Sequence, residues 1–279
     1  MTPALRATTV LTVCSARVLV IGGTSGLGFG VAEALIEHHA NHVIISSSNS
    51  LRLESAIDRL HRSYPQAAGN ANRLTGIICK LGDEALLEEN IQSLIREVSL
   101  ALDGELLDHI VYTAGDSLVQ TPLQQLNLQA IKQSGTVRFV APLLIAARSH
   151  LILSQSPDSS FTLTAGAVAD KPVPAWTAVS AFASGLKGMV RGLALEMKPV
   201  RVNLVVPGVV ETEMWEGMWG GVFKSGSEAR KSMFEQMARG TTTGRLGRVE
   251  DVVEAYLWSM KDGFASGAVV DSNGGALVM

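Results

Sequence analysis

Cysteine is nearly absent: Cys14 and Cys79 are the only two in 279 residues, and no CxxC pair occurs. That excludes a disulfide framework and suits a reducing, cytoplasmic compartment, with both thiols expected to be free and buried. Charge is scarce as well. Charged residues make up 18% with a net of -3, so the clustered Lys/Arg that nucleic acids and anionic membranes require are missing. Small molecules and other proteins remain as partners. No apolar run approaches the ~20 residues that span a bilayer. Segment 1–16, with one arginine and a short apolar run at 10–14, is too short and too polar for a signal peptide and reads as a leader outside the first strand.

What the chain has is apolar content, 47%, enough for a large core, with no Pro/Ser-rich linker, repeat or charge run to divide it. One domain over 17–279 is expected. Short β-branched runs at 17–22, 42–46, 74–79, 109–113, 160–164, 201–206 and 268–271 alternate with helical spacing such as Val31-Leu35-Ile36, Ile91-Leu94-Ile95 and Leu186-Met189-Val190-Leu193. This alternation predicts an α/β fold, a single doubly wound Rossmann-type domain with a seven-stranded parallel sheet.

The first strand runs into Gly22-Gly-Thr24-Ser25-Gly26-Leu27-Gly28, a turn where glycines let backbone approach a ligand closely, followed by a helix whose N-terminus favours an anion. A phosphate-bearing cofactor fits this turn better than a merely tight connection. After the second strand, Ser46-Ser47-Ser48-Asn49 with Arg52 replaces the carboxylate that would hold a ribose diol. Hydroxyls, an amide and a guanidinium suit a 2'-phosphate, which favours NADP(H) over NAD(H). The alternative is that these residues only cap the next helix.

With that turn, Tyr112-Thr-Ala114-Gly115, Arg201-Val-Asn-Leu-Val-Val-Pro207-Gly208-Val-Val210-Glu-Thr212 and the closing Val270-Asp-Ser-Asn-Gly-Gly275 appear in the order of the short-chain dehydrogenase/reductase family, which the chain resembles from residue 17 to its end. The resemblance implies cofactor contacts at Gly22, Thr24, Ser25, Gly26, Leu27, Gly28, Ser47, Ser48, Asn49, Arg52, Leu81, Ala114, Gly115, Pro207, Gly208, Val210 and Thr212. It also implies a catalytic Ser, Tyr and Lys, and there the chain departs: Ala165, Val179 and Ala183 stand at those positions. The helix Asn of the relay falls near Gly135 or Thr136, and Lys80 stands where an acid usually meets the adenine edge. Three neighbours could compensate: Thr164 faces away from its strand neighbour's side, Lys187 lies a further turn along the helix and reads as a solvated lysine, and Tyr112 reads as a packed core residue.

Without that acid, reduction of a ketone loses a general-acid contribution of roughly 10^2 to 10^4 in rate. An iminium-like carbon needs no such proton. Cavity-guided cyclisation needs none either. The segments around Arg138, Lys171-Pro-Val173-Pro-Ala-Trp176 and Arg191 to Asn203 are similar to fungal natural-product reductases that lack the Ser-Tyr-Lys set, among them bifunctional reductase/Diels-Alderases of the malbrancheamide and paraherquamide pathways. Those relatives use an Arg and an Asp in a Pro-Asp-Pro-Gly-Trp stretch. Here Arg138 and Trp176 match and are the expected catalytic residues, while Val173 replaces the Asp and Asp170 is a speculative substitute.

Segment 211–240 resembles the family's substrate lid and carries Met214, Trp215, Met218, Trp219, Phe223, Met233, Phe234 and Met237, which suit a bulky apolar ligand. Ala165, Gly166, Val179, Met214, Trp215 and Met218 are the expected substrate contacts, against the plainer reading of an amphipathic helix packed on the core. His38, His39 and His42 resemble a metal cluster, but they fall at a helix end where exposure and dipole complementation explain them, so no metal is expected. Gly185, Gly188 and Gly192 form a small-residue stripe, and the family's use of this helix between subunits implies a homo-oligomer. Two readings follow: an NADP(H)-binding biosynthetic enzyme acting on an apolar, nitrogen-containing intermediate by reduction or cyclisation, or a redox-silent cofactor-binding scaffold or regulator.

Overall fold

The computed structural model describes residues 13–65, 74–116, 118, 120–217 and 227–279. Seven parallel strands, β1 (Arg17–Ile21), β2 (His42–Ser47), β3 (Leu74–Ile78), β4 (His109–Tyr112), β5 (Ser160–Thr164), β6 (Arg201–Pro207) and β7 (Val269–Ser272), lie in the order β3-β2-β1-β4-β5-β6-β7. The expected seven-stranded doubly wound sheet is present, each strand within about a residue of its sequence-based bounds. Every residue of β2, β4 and β6 is buried, the pattern of strands covered on both faces.

Alternation along β1 separates the two cores. Leu19 and Ile21 face one layer, with Ile110, Phe161 and Leu204, beneath the helices α3 (Leu87–Ala101), α5 (Ala141–Arg148) and α6 (Thr177–Glu196). Val18 and Val20 face the other, with Val43, Ile45 and Val205, beneath α1 (Gly26–Glu37), α2 (Ser50–Ser63) and α9 (Val249–Lys261). Each fully buried Leu, Ile or Val contributes about 1.5 to 3 kcal/mol, so both faces must be covered for the sheet to hold.

The crossovers leave β1 in opposite directions, toward β2 on one side and β4 on the other, which opens a crevice at the carboxyl ends of β1 and β4. Between β4 and β5, α4 (Leu128–Gly135) passes through a π turn at Thr136–Val140 into α5. Between β6 and β7 lie α7 (Met214–Gly217) and α8 (Glu228–Arg239).

Two expectations are corrected. His42 is not exposed at a helix end; it begins β2, is buried, and its ring bonds Thr75 Oγ1 at 2.7 Å, while His38 and His39 are exposed. Cys79 is buried as expected, but Cys14 is exposed. Val13 and Ala16, the last residues of the leader segment, pack into the core.

Candidate active site

The turn after β1 is held at backbone contact distance from β4. Gly22 has φ +90, and a Cβ there would lie 2.6 Å from the Ala114 nitrogen; one on Gly23 would lie 2.7 Å from Ile45 Cγ2. Gly26 is left-handed at φ +51, with Thr212 Cγ2 3.3 Å from where its Cβ would be. Glycines at 26 and 28 leave the start of α1 without side chains at those positions, as a helix N-terminus that meets an anion requires. That N-terminus already holds an anion: the Gly26 nitrogen donates to Glu213 Oε2 at 3.0 Å. That carboxylate stands in for the phosphate oxygen such a turn is built to bind, and Glu213 carried no expectation from sequence.

The residues after β2 divide their roles. Ser47 is buried, with its hydroxyl accepting from Thr24 Oγ1 at 3.4 Å and from the Asn49 nitrogen at 3.3 Å. Asn49 caps α2 through its Oδ1, which accepts from the Arg52 nitrogen at 2.9 Å, so the capping alternative accounts for that oxygen. Ser48 and Arg52 are exposed at the helix start, free to meet a phosphate. The Leu81 side chain is buried in the core, which leaves only its backbone for a cofactor.

On the far side of the crevice, Gly208 donates from its nitrogen to the Ser272 carbonyl at 2.9 Å, fixing the Pro-Gly loop to β7. Val210 is buried, and its carbonyl accepts from Trp215 Nε1 at 2.7 Å. Trp215 is itself 6% exposed and packs edge-on against Phe234, ring centroids 5.6 Å apart. It anchors this loop through its indole and its ring. Met214 is 44% exposed, while Met218, Trp219 and Phe223 lie outside the described residues.

Arg138 sits in the π turn, a helix irregularity common at functional sites. A Cβ on Gly115 would be 2.5 Å from Cζ, Nη1 and Nη2 alike, so the guanidinium lies face-on over that glycine. Its Nη2 donates to the Asp116 carbonyl, and Nε is 3.3 Å from Asp116 Oδ1. Burial pulls the Arg138 guanidinium below its usual range and Asp116 pulls it back; burial likewise raises the Asp116 carboxyl against the pull of Arg138. The pair clamps the 114–116 loop.

Helix α6 contains no tyrosine, and Val179 and Ala183 are buried in it. None of the three candidate substitutes is available. The Tyr112 hydroxyl is fully buried and donates to the Val137 carbonyl. Thr164 Oγ1 lies 2.7 Å from the Tyr112 carbonyl and 2.8 Å from the Tyr256 hydroxyl. Lys187 is not a solvated lysine: its Nζ binds both Asp170 carboxylate oxygens at 2.5 Å, and this pairing also occupies Asp170. Ahead of the helix, Ala175 is left-handed at φ 64 and its carbonyl accepts from the Thr121 nitrogen at 2.9 Å, which costs a non-glycine residue about 1 to 2 kcal/mol and fixes where Trp176 begins the helix.

The glycine cradle at the switch point, with the Pro-Gly loop opposite, defines a Rossmann-type nucleotide-binding domain. The chain belongs to the short-chain dehydrogenase/reductase family, since residues 10–279 match the model of the SDR-like Rossmann domain. It is 43% identical over 267 residues to the short-chain dehydrogenase/reductase fsr5 of Gibberella fujikuroi, with 94% of each chain covered. It is 38% identical over 262 residues to malC of Malbranchea aurantiaca, again with 94% of each covered. The solved structure of MalC reductase/Diels-Alderase superposes with a TM-score of 0.85 at 37% identity, covering 96% of this chain and 98% of that one. An NADPH-bound short-chain oxidoreductase of Pseudomonas aeruginosa with an atypical catalytic center shares the fold, with a TM-score of 0.79 at 24% identity, covering 93% and 96%.

Proposed function

We propose that this chain is a natural-product biosynthetic enzyme that binds NADP(H) and acts on a bulky, apolar, nitrogen-containing intermediate, by reducing an iminium-like centre or by guiding its cyclisation. The observation that carries this reading is the conjunction of an intact anion cradle with a catalytic helix that has no tyrosine and has buried Val179 and Ala183 in its place. The likeness to MalC supports the substrate class.

The residues present fit the cofactor. A side chain at Gly22 or Gly23 would fill the cradle, and the stand-in carboxylate of Glu213 marks its affinity for anions. Gly26 and its neighbours would hold the pyrophosphate, Ser48 and Arg52 the 2'-phosphate, and the loop from Pro207 to Thr212 the nicotinamide end. When bound, NADPH supplies a hydride. The chain's own part is to orient and to keep water out: Arg138 and Asp116 hold the Gly115 loop, Trp215 holds Val210, and the apolar Val179 and Ala183 leave no acid that protonates an oxygen. A homo-oligomer is part of this reading, since Gly188 and Gly192 have no side chain or backbone within 4 Å of where a Cβ would stand.

The test is a titration of purified protein with NADPH, followed by single-turnover assays with activated cyclic imines and with diene-bearing substrates. Loss of NADPH absorbance with the imines supports reduction, and altered product selectivity without NADPH loss supports cyclisation. Tight NADPH binding with neither outcome overturns the reading in favour of a redox-silent scaffold.

A further inference from the structure

Among the described residues, three buried side-chain polar atoms have no hydrogen-bond partner: Arg138 Nε, Trp176 Nε1 and Ser180 Oγ. Arg138 Nε at least lies within ion-pair range of Asp116. The other two have nothing: Trp176 is the N-cap of α6, and Ser180, whose nitrogen donates to the Trp176 carbonyl at 2.8 Å, lies one turn on. Native interiors leave very few such groups, because each forfeits its hydration without recompense.

The face of α6 that carries Ser180 shows where the pair lies. Continuing along the helix from Ser180, Ser184 Oγ donates to the Ala169 carbonyl at 2.6 Å and Lys187 Nζ binds Asp170 at 2.5 Å. The face therefore runs along segment 167–170, and each step toward the helix N-terminus moves back toward β5. Ser180, one turn before Ser184, lies nearer the Ala165–Gly166 end of that segment. Space exists there: a Cβ on Gly166 would meet only Val168 Cγ1, at 3.8 Å. Ser180 is 7% exposed, and it does not take the usual escape of a helical serine, a bond to the carbonyl four residues back. Ala175, held left-handed, fixes Trp176 at the head of the helix.

We infer that Trp176 Nε1 and Ser180 Oγ are a two-donor site for one carbonyl oxygen of the substrate, so that the ligand class is an apolar ring system bearing a ketone, amide or lactam carbonyl. A carbonyl oxygen has two lone pairs and can accept from both donors at once. The two groups thus bind and polarise the carbonyl, making an iminium carbon conjugated with it more electrophilic for hydride, the product nitrogen being neutral, or a dienophile more reactive, without transferring a proton. The inference rests on the proposed enzyme reading for its substrate, yet its test requires no turnover.

The probe is 1-tetralone, compared with its exocyclic methylene isostere, which has the same shape and no acceptor. Binding to NADP-loaded protein is read at the indole N–H resonances of the four tryptophans, with Trp176 assigned by Trp176→Phe. The expected result is a downfield shift of the Trp176 signal with tetralone and none with the isostere. Ser180→Ala weakens tetralone about five- to tenfold, the worth of one hydrogen bond, and Ser180→Cys falls between. Because an unpartnered hydroxyl stabilises nothing, Ser180→Ala keeps or raises the Tm. Equal behaviour of the two probes, a silent Trp176 signal at the solubility limit of tetralone, or a Tm lowered by several degrees in Ser180→Ala overturns the inference. If the carbonyl probe discriminates while no NADPH is ever consumed and no product changes, this site stands and the enzyme reading falls.

Discussion

Replacing Glu213 with Gln tests the cofactor cradle through an interaction visible in the fold. The Glu213 carboxylate accepts from the Gly26 nitrogen at 3.0 Å, at the first residue of α1, where a cofactor pyrophosphate would sit. For an anion to bind, that carboxylate must leave, and a surface contact with a helix N-terminus is worth about 0.3 to 1 kcal/mol. Once displaced it stays tethered beside Thr212, so at a separation of roughly 7 Å in water it repels each of two phosphate charges by about 0.6 kcal/mol. Together these amount to about 1.5 to 2.2 kcal/mol, or about a 12- to 40-fold change in Kd. Glu213→Gln keeps the size and removes the charge, so it binds NADPH more tightly by that factor in calorimetric titration at low salt. The gain shrinks as salt is raised, because part of it is screened repulsion. Unchanged or weaker binding of Glu213→Gln at low salt refutes the assignment of this turn as the phosphate site.

Three further outcomes follow from the same geometry. His109 is buried with Nδ1 2.9 Å from Ser160 Oγ, and burial pushes its pKa down to about 4. Between about 4 and the ordinary value of 6.5 the unfolded chain binds the proton and the folded chain does not, so stability rises with pH across that window by about 3 kcal/mol; urea unfolding at pH 4.5 and 7 measures it, and a His109→Gln variant with the same pH slope contradicts it. Burial pushes the Cys79 thiol up to about 12, whereas Cys14 is exposed, so mass spectrometry after brief alkylation finds Cys14 modified and Cys79 untouched until the protein unfolds. Gly115→Ala drives a methyl into the Arg138 guanidinium, opening the clamp on the 114–116 loop; NADPH affinity falls at least about tenfold, and Gly104→Ala, at a left-handed turn with nothing within 4 Å, changes stability but not that affinity.

The fold was legible because its signals are local and redundant. Seven apolar β-branched runs and a glycine turn place the strands, and parallel order follows from the alternation with helices. The cradle was legible for the same reason: glycine at a close approach is a property of single positions. What escaped were pairings between segments distant in sequence. Nothing near Glu213 signals that it reaches Gly26, and nothing near Lys187 signals a bond to Asp170. Trp215 is a further case, since nothing in its lid-like stretch signals that its indole bonds Val210. The unpartnered Ser180 is invisible to sequence by its nature, because an absent partner leaves no pattern.

Val179 and Ala183 are buried in a helix that packs closely on its neighbours. A helix standing off from its neighbours would leave cavities, at a cost of about 24 cal/mol for each Å³ left empty. Instead the helix is drawn close to its neighbours: Phe182 fills the space at Gly135, Phe139 fills the space at Gly185, and the two rings pack 5.3 Å apart. An apolar wall that excludes water strengthens every charge and dipole beside it, because nothing screens them. Such a wall suits a substrate that brings its own electrophilic carbon and asks of the protein only position, shielding and, at Trp176 and Ser180, two fixed dipoles.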